Sequence, residues 1–308
     1  MHLYAFIHEF RGRIREPDTR WYPMKKYGNF RVVAAVGWAL AMLLAPVAAG
    51  AQLRPLEPFE WEALTPGRVV TARVGTGIEW GQRLSLAGTE GRLLELGNFA
   101  ALWHTGRVAL EASGTMVRVF DDRSVWAEPT GGAHAPPSGA RVDAGDYRVA
   151  TAVRLTPERW PILGILRFGT RLPTTNNRVG IDRDQTDFFA LAGVAYRRGP
   201  LLLATENGVG IFGTRLPDYE QADDWVYITR AAYALGPVMP MATLTGQYTP
   251  FHRVIRGNED LGELRLGLRA GGRRWAEAQW VAGLTRFSPR SGLLVSVGAS
   301  FGGAPPAP

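Results

Sequence analysis

Residues 263–285 read ELRLGLRAGGRRWAEAQWVAGLT, and their alternation decides the fold class. Apolar residues alternate with polar ones on both sides of the glycine pair at 271–272. The polar positions are Glu263, Arg265, Arg269, Glu277, Gln279 and Thr285. A period of two predicts strands with two differently solvated faces. The stretch therefore reads as two antiparallel strands joined by a tight turn.

The same alternation continues along the chain from residue 68 onward. Twelve candidate strands are predicted at 69–81, 91–104, 106–120, 145–156, 160–172, 185–198, 200–213, 223–235, 240–250, 261–272, 274–287 and 292–301. No segment shows the apolar spacing of an amphipathic helix, and no apolar run beyond the N-terminal region is long enough for a spanning helix. The chain is predicted to be all-β.

The connections between the predicted strands alternate in length. Tight connections are predicted at 105, 157–159, 199, 236–239 and 271–273, and longer ones at 81–90, 121–144, 173–184, 214–222 and 251–260, with a short one at 288–291. Outer-membrane barrels have short turns at one end, longer loops at the other and an even number of strands. The backbone N–H and C=O groups of an open sheet edge find no hydrogen-bond partners in lipid, so the sheet must close. We expect an antiparallel transmembrane β-barrel of about 12 strands, with 10–14 compatible with the pattern.

The N-terminal region has the features of an export signal. Lys25 and Lys26 precede the apolar run 32–44, and the small residues Ala49, Gly50 and Ala51 follow. A charged start, an apolar centre and a small-residue cleavage site predict a cleaved signal peptide at 24–51. The alternative is a single membrane-anchoring helix. Residues 1–23 have no place ahead of such a signal, and we interpret them as a mis-assigned N-terminal extension.

Composition excludes several classes of function. The chain has no cysteine, which excludes disulfides, thiolate metal sites and a cysteine nucleophile. Lysine and arginine number 35 against 28 acidic residues, but seven of these basic residues lie within 1–51. No lysine follows Lys26 and no basic helix is predicted, so we expect no nucleic-acid partner. No cofactor motif is present.

One polar face of the predicted strands should line the lumen of the barrel 68–301. The candidate lumen residues are Arg148, Arg154, Arg167, Arg171, Glu206, Arg215, Arg230, Glu263, Arg265, Arg269 and Glu277. Twelve strands enclose more space than a side-chain-filled barrel of eight, and less than a porin of sixteen. We therefore expect a narrow or partly plugged pore whose arginines favour anions.

The hexapeptide FGTRLP occurs twice, at 168–173 and at 212–217. Both copies should lie at the outer end of outward-running strands, with Arg171 and Arg215 as gate residues. Phe168 is assigned to the lipid face, and the same is expected of Phe212. That assignment needs a bulge near Gly208 or Gly210, since otherwise Glu206 would face lipid.

Two segments flank the predicted barrel. Segment 52–67, QLRPLEPFEWEALTPG, contains three acids and three prolines. It is interpreted as a periplasmic tether or as a plug folded into the lumen, and the tether is favoured. Residues 302–308 read as a disordered tail.

The stretch 167–213 resembles the outer-membrane transporter family named after the meta-pathway of phenol degradation, within the porin-like superfamily. The resemblance lies in a turn after one strand and in the opening of the next, at Gly169, Leu172, Pro173, Thr174, Asp182, Asp184, Thr186, Asp187 and Phe188. It covers less than a third of the mature chain, and the rest matches only as a barrel. It implies a β-barrel that passes small, often apolar or aromatic molecules, and it implies no catalytic residue.

Two other kinds of site remain as alternatives. Asp182, Asp184 and Asp187 could hold Ca²⁺, although the spacing lacks the glycine and terminal glutamate of an EF-hand. A lipid hydrolase would need a serine and a histidine near the lipid face. Only His252, with Ser288 or Ser291, could supply them, and no nucleophile motif surrounds either serine.

These observations together predict a passive outer-membrane channel or transporter for small molecules, apolar, aromatic or anionic. The main alternative is a non-transporting barrel that binds at the surface or is structural, and the third is a lipid-modifying enzyme. The expected partners are outer-membrane lipid and lipopolysaccharide, the transported solute and the barrel-assembly machinery of a Gram-negative bacterium.

Overall fold

A computed structural model of the chain describes residues 53–64, 69–125, 139–157, 160–176, 179–182, 185–213, 221–250 and 259–302. Of the predicted segments, 1–23, the signal peptide 24–51 and nearly all of the tail 302–308 lie outside these ranges. No helix within them is long and apolar enough to span a bilayer.

The described residues form one antiparallel sheet that closes on itself. Its strands are β1 (Val70–Leu84), β2 (Thr89–Thr105), β3 (Val108–Val125), β4 (Ala140–Ala144), β5 (Tyr147–Arg154), β6 (Ile162–Leu172), β7 (Asp187–Arg198), β8 (Leu201–Gly213), β9 (Gln221–Tyr233), β10 (Val238–Tyr248), β11 (Leu261–Gly271), β12 (Arg274–Gly283) and β13 (Ser291–Phe301). Both β4 and β5 pair with β3, so they form one interrupted barrel strand. Pairing of β1 with β13, from Val70 with Phe301 to Trp80 with Ser291, closes a barrel of 12 strands. The predicted fold class is confirmed.

The two ends of the barrel differ in their connections. The turns at 106–107, 155–161, 199–200, 234–237 and 272–273 lie at one end, which we call the short-turn end. The strand ends that are joined by 85–88, 126–139, 173–186, 214–220, 249–260 and 284–290 lie at the opposite, long-loop end. Apart from the four-residue connection 85–88 and the seven-residue connection 155–161, this sorting is the one that the sequence predicts.

The hairpin of β11 and β12 has the predicted faces. Leu268 and Trp280 are exposed on the outer wall, whereas Glu263, Arg265 and Glu277 are buried inside the barrel. Strand β13 follows the same rule, because Leu293, Val295 and Val297 are exposed. Inside and outside therefore alternate along these strands, as barrel geometry requires.

The first three strands are longer than predicted. The expected connection 81–90 is a turn of only 85–88, because β1 and β2 both extend toward the long-loop end. Leu84 lies on the extension of β1 and is buried in one cluster with Leu93, Phe120 and Ile181. This apolar cluster packs the long-loop ends of the first three strands together.

The expected loop 121–144 was also wrong in its bounds. Strand β3 continues to Val125, and β4 pairs with it from Val117 against Ala144 to Asp121 against Ala140. Residues 126–138 lie outside the described ranges. The proline- and glycine-rich composition hid the short strand, because β4 itself has only five residues.

The assignment of Phe212 to the lipid face was wrong. Strand β8 pairs with β7 and β9 without a register shift, so no bulge lies at Gly208 or Gly210. Glu206 and Phe212 both face inward, and both are buried. The ring of Phe212 lies where a side chain on Gly210 would be, 2.4 Å from the Cβ position of that glycine.

Candidate functional site

Residues 53–62 lie inside the barrel, and we call them the lumen segment. Leu53 packs at the long-loop end against Leu84 and Ile181. Trp61 lies near the short-turn end and begins a short 3-10 helix, Trp61–Leu64. The lumen segment therefore runs the length of the barrel before the chain enters β1. This position corresponds to the plug rather than to the tether favoured from sequence.

Apolar side chains of the lumen segment occupy the half of the lumen nearest the short-turn end. Phe59 and Trp61 are almost completely buried, at 0% and 1% exposed, and their rings meet edge to face with centroids 5.3 Å apart. The wall around them consists of Leu102, Ala109, Ala152, Ile165, Ala195, Leu202, Ala204, Ala232 and Met241. Burial of two aromatic rings supplies the largest apolar area that this segment has.

Leu56 occupies a separate apolar site that lies closer to the long-loop end of the barrel. It packs against Phe189, Leu191, Phe212 and Ile228. The inward-facing Phe212 of the second hexapeptide copy thus contributes to holding the lumen segment, a role that its assignment to the lipid face would have excluded.

The charged side chains of the lumen segment pair with the wall. Glu57 lies 2.8 Å from Arg265 and 3.2 Å from Arg73, and Glu60 lies 3.3 Å from both Arg73 and Arg269. Charge-assisted contacts of this kind are stronger than neutral hydrogen bonds.

Both ends of the lumen segment also carry ion pairs. Glu62 lies 2.9 Å from Arg230 near the short-turn end. At the other end Arg54 contacts Glu79 and lies 2.8 Å from Glu95. Each charged residue of the lumen segment therefore has a partner on the wall.

Backbone groups of the lumen segment bond to wall side chains instead of to a strand. The amide of Phe59 donates to Glu206 over 2.8 Å. The carbonyl of Leu56 accepts from Thr245 over 2.9 Å, and that of Glu57 accepts from Arg167 over 3.0 Å. Since buried backbone groups need partners, these bonds let an irregular segment lie inside the barrel.

A second charged cluster lies toward the long-loop end. Arg118 contacts Asp182 and lies 2.9 Å from Glu95, while Arg171 lies 3.0 Å from Asp146 and 2.7 Å from Asp187. Asp182 belongs to the β6–β7 connection, so the cluster joins a loop to the wall. Burial, together with the nearby Asp146 carboxylate, raises the pKa of Asp182 to about 8 against the two guanidiniums.

Ten of the eleven sequence-predicted lumen residues lie in the described ranges, and their side chains are buried or partly buried. Arg167 bridges Glu111 and Glu206, Arg265 pairs with Glu263, and Arg269 pairs with Glu277. Arg148 reaches Asp146 at 3.5 Å, and Arg154 donates to the carbonyls of Thr156 and Pro157 at the short-turn end. Arg215 lies outside the described ranges.

The lumen contains more acidic residues than the sequence reading assigned to it. Glu79, Glu95, Glu111, Asp146 and Asp187 all belong to its ion pairs. The signal was present in the alternation, but an extra residue at Gly97 shifts the register of β2. Glu95 and Asn98, three residues apart, therefore face the same side, and simple parity misplaces one of them. Among the described residues, the lumen shows no net excess of arginine over acidic side chains.

The residues considered for calcium and for hydrolysis have other partners. Asp182 and Asp187 are ion-paired with arginines, and Asp184 lies outside the described ranges. No metal-binding group of three or more His, Asp or Glu side chains is found in the part of the chain that the structure describes. The Ser288 hydroxyl accepts from the amide of Gly262 over 2.9 Å, and His252 is outside the described ranges.

Little space remains beside the lumen segment. A cavity of about 50 Å³ lies between it and the wall of β1–β3 and β13, next to Arg73, Asn98, Arg148 and Ser296. Another of about 20 Å³ lies next to Glu60 and Arg167. A cavity needs roughly 10–15 Å³ of such volume to hold one water molecule, so both can hold water. Neither of these two cavities is large enough for an organic solute.

No family model matches this sequence, and comparison with curated proteins gives no match. Among solved structures, the fold is similar to an outer-membrane channel from Pseudomonas putida F1, with a TM-score of 0.54 and 11% identity over 80% of this chain and 100% of that one. Weaker similarities include outer-membrane phospholipase A from Escherichia coli, with a TM-score of 0.41, 11% identity and coverage of 84% and 99%. A monoaromatic hydrocarbon channel, CymD, gives 0.42 and 11% over 77% and 89%. At these identities the likeness shows the fold, that of an outer-membrane β-barrel.

Proposed function

We propose that this protein is a diffusion channel for small molecules in a bacterial outer membrane, and that the lumen segment closes it. One observation carries the proposal: the space inside a closed barrel is filled by a single stretch of the same chain. Withdrawal of that stretch would leave a passage from one end of the barrel to the other. Outer-membrane lipid and lipopolysaccharide would surround the wall, and the barrel-assembly machinery would insert it.

The contacts of the lumen segment fit a reversible closure. It joins no strand of the sheet, and its polar contacts are ion pairs and side-chain hydrogen bonds. Removing it would cost these contacts but would break no bond of the β-ladder. The wall is thus able to stay folded while the segment moves.

The fold likeness to a solved outer-membrane channel supports this proposal, as does the resemblance of 167–213 to the phenol meta-pathway transporters. Small apolar or aromatic molecules are the solute class that this resemblance suggests. The apolar half of the lumen near the short-turn end suits such molecules, because its wall is built from leucine, isoleucine, alanine and methionine.

The small residual cavities favour a second candidate, a barrel that transports nothing and serves as a surface-binding or structural protein. In that case the lumen segment would be a permanent filling. The two candidates differ in what happens once the segment is removed or loosened.

Swelling of lipid vesicles in an isotonic pentose solution distinguishes them. Vesicles would contain the whole protein or a variant that lacks residues 53–62, with heat-modifiable gel migration as the check that both barrels are folded. The channel proposal predicts slow swelling for the whole protein and swelling at least tenfold faster for the variant. A folded variant that swells no faster than protein-free vesicles would support the structural barrel instead.

A further inference from the structure

The lumen segment alternates apolar side chains with carboxylates, and the wall has a site for each. Leu56, Phe59 and Trp61 are buried in apolar sites, while Glu57, Glu60 and Glu62 contact arginines. The closed lumen is therefore shaped around apolar groups that carry negative charge. A solute that takes the place of the segment meets the same wall.

Two wall arginines depend on the lumen segment for their charge partners. Arg73 pairs with Glu57 and Glu60, and Arg230 pairs with Glu62, and these are their only ion pairs among the described residues. The other contact of the Arg230 guanidinium is the Met241 sulfur at 3.3 Å. Withdrawal of the segment would leave both guanidiniums without an ion-pair partner among the described residues.

The remaining arginines of this region keep a wall partner when the segment leaves. Arg265 retains Glu263, Arg269 retains Glu277, and Arg167 retains both Glu111 and Glu206. An unpaired guanidinium in a partly dry lumen is unfavourable, and breaking a buried pair by removing one partner is strongly destabilising. The open state is therefore costly at Arg73 and Arg230 in particular.

Withdrawal of Phe59 and Trp61 would also uncover apolar surface of the wall. Their departure would expose Leu102, Ile165 and Leu202 to water inside the lumen. The Arg167 guanidinium, now 5.8 Å from the centre of the Phe59 ring, would also lose that aromatic contact. An apolar or aromatic solute would restore both the burial and the ring contact.

We infer that the solute is an amphipathic organic acid that exchanges with the lumen segment. Its carboxylate binds Arg73 and Arg230 in place of Glu57, Glu60 and Glu62, and its apolar or aromatic part takes the site of Phe59 and Trp61. The inference rests on the proposed channel function and narrows its solute class. The wall arginines then select the solute because its carboxylate replaces the glutamates that they lose. This selection does not require a net arginine excess in the lumen.

Binding of 3-phenylpropanoate, compared with 3-phenylpropan-1-ol, tests the exchange. Calorimetric titration at neutral pH would use the full protein in detergent, with Arg73→Gln, Arg230→Gln and Arg73→Lys as variants. The matched control is Arg92→Gln, because Arg92 pairs with Asp121 toward the long-loop end, away from the segment. The acid should bind at least tenfold more tightly than the alcohol. Each Gln variant should lose that preference, Arg73→Lys should keep part of it, and Arg92→Gln should keep all of it.

Weakening the competing segment provides an independent arm. The triple variant Glu57→Gln, Glu60→Gln, Glu62→Gln keeps the size of the side chains and removes their charge, so it should bind the acid several-fold more tightly than the unmodified protein. Equal binding of acid and alcohol, or an acid preference that survives both Arg→Gln changes, would overturn the inference. If vesicles still swell in pentose when residues 53–62 are removed, such a result leaves the channel function standing, whereas absence of swelling contradicts the channel itself.

Discussion

Gly193 shows how one residue shapes the site that the lumen segment occupies in the barrel. It faces inward on β7, and a Cβ there would lie 2.8 Å from the Ile165 side chain and 3.1 Å from the Trp61 ring. Its backbone is ordinary strand, so the requirement for glycine comes from space and not from an unusual φ. The indole of Trp61 therefore lies in a notch that only a missing side chain provides.

Replacing Gly193 by valine should displace Trp61 without changing any charge. The Cβ and two methyl groups that valine adds cannot fit beside Ile165, and overpacking of this kind commonly costs about 1–3 kcal/mol. We expect the ring to move, the segment to loosen and the ionic conductance in planar bilayers to rise several-fold. Ala192→Val is the matched control, since Ala192 is the neighbouring outward-facing residue. Equal conductance of the two variants would contradict this account of Trp61.

At the scale of elements, the two copies of FGTRLP show what a short motif leaves open. In β6 the side chain of Phe168 is exposed and that of Arg171 is buried, as predicted. In β8 the equivalent phenylalanine, Phe212, is buried in the lumen. Whether a side chain faces the lumen or the outer wall depends on the alternation of its own strand, counted from the short-turn end. Six identical residues do not contain that information.

The strands could be predicted from sequence because their signal is local. Period-two alternation and the sorting of short and long connections were enough for β11 and β12, whose hairpin closes over two residues. The place of the lumen segment could not be read in this way. Its partners are far away in sequence, since Glu60 pairs with Arg269 and Glu57 with Arg265. The acids of 57–62 and the wall arginines were both visible, but nothing local joins them.

The β6–β7 connection is the element whose attachment should depend on pH. The carboxyl of Asp182 has its pKa raised to about 8 in the folded protein, because it is buried and lies near Asp146. A group whose pKa is higher in the folded than in the unfolded protein stabilises the fold fully at pH values below its unfolded pKa, which is near 4 for Asp. That contribution is lost as the pH rises through the folded-state pKa. The loop is therefore held best in acid and progressively less well between about pH 4 and 8.

Hydrogen exchange of the backbone amides of 179–182, corrected for intrinsic rates, measures this effect. Protection should fall from pH 5 to pH 8 and then level off. Asp182→Asn should remove the slope, because it cannot titrate while it keeps a similar shape. An unchanged slope in that variant would assign the pH dependence to another group of the cluster with Arg118 and Arg171.

At the scale of the whole molecule, the lumen is layered. Apolar clusters around Leu53, around Leu56 and around Phe59 with Trp61 follow one another along the segment, and ion pairs of Arg54, Glu57, Glu60 and Glu62 accompany them. The sequence predicted a barrel with a narrow or partly plugged pore, and arginines on its inner face. It did not predict that the carboxylates of the lumen segment form ion pairs with those arginines. If the protein is the proposed channel, it opens only when another group pairs with the wall arginines that the segment leaves.

Reaction of a single thiol during current recording tests the central claim that the lumen segment closes the channel from inside. The chain has no cysteine, so Phe59→Cys supplies one thiol at a position that is 0% exposed. The reagent would be the anionic 2-sulfonatoethyl methanethiosulfonate. We predict slow modification, each event accompanied by a lasting rise in conductance that dithiothreitol reverses, because a modified side chain cannot return to its apolar site. Modification as fast as that of an unfolded peptide, with no change in conductance, would contradict the account.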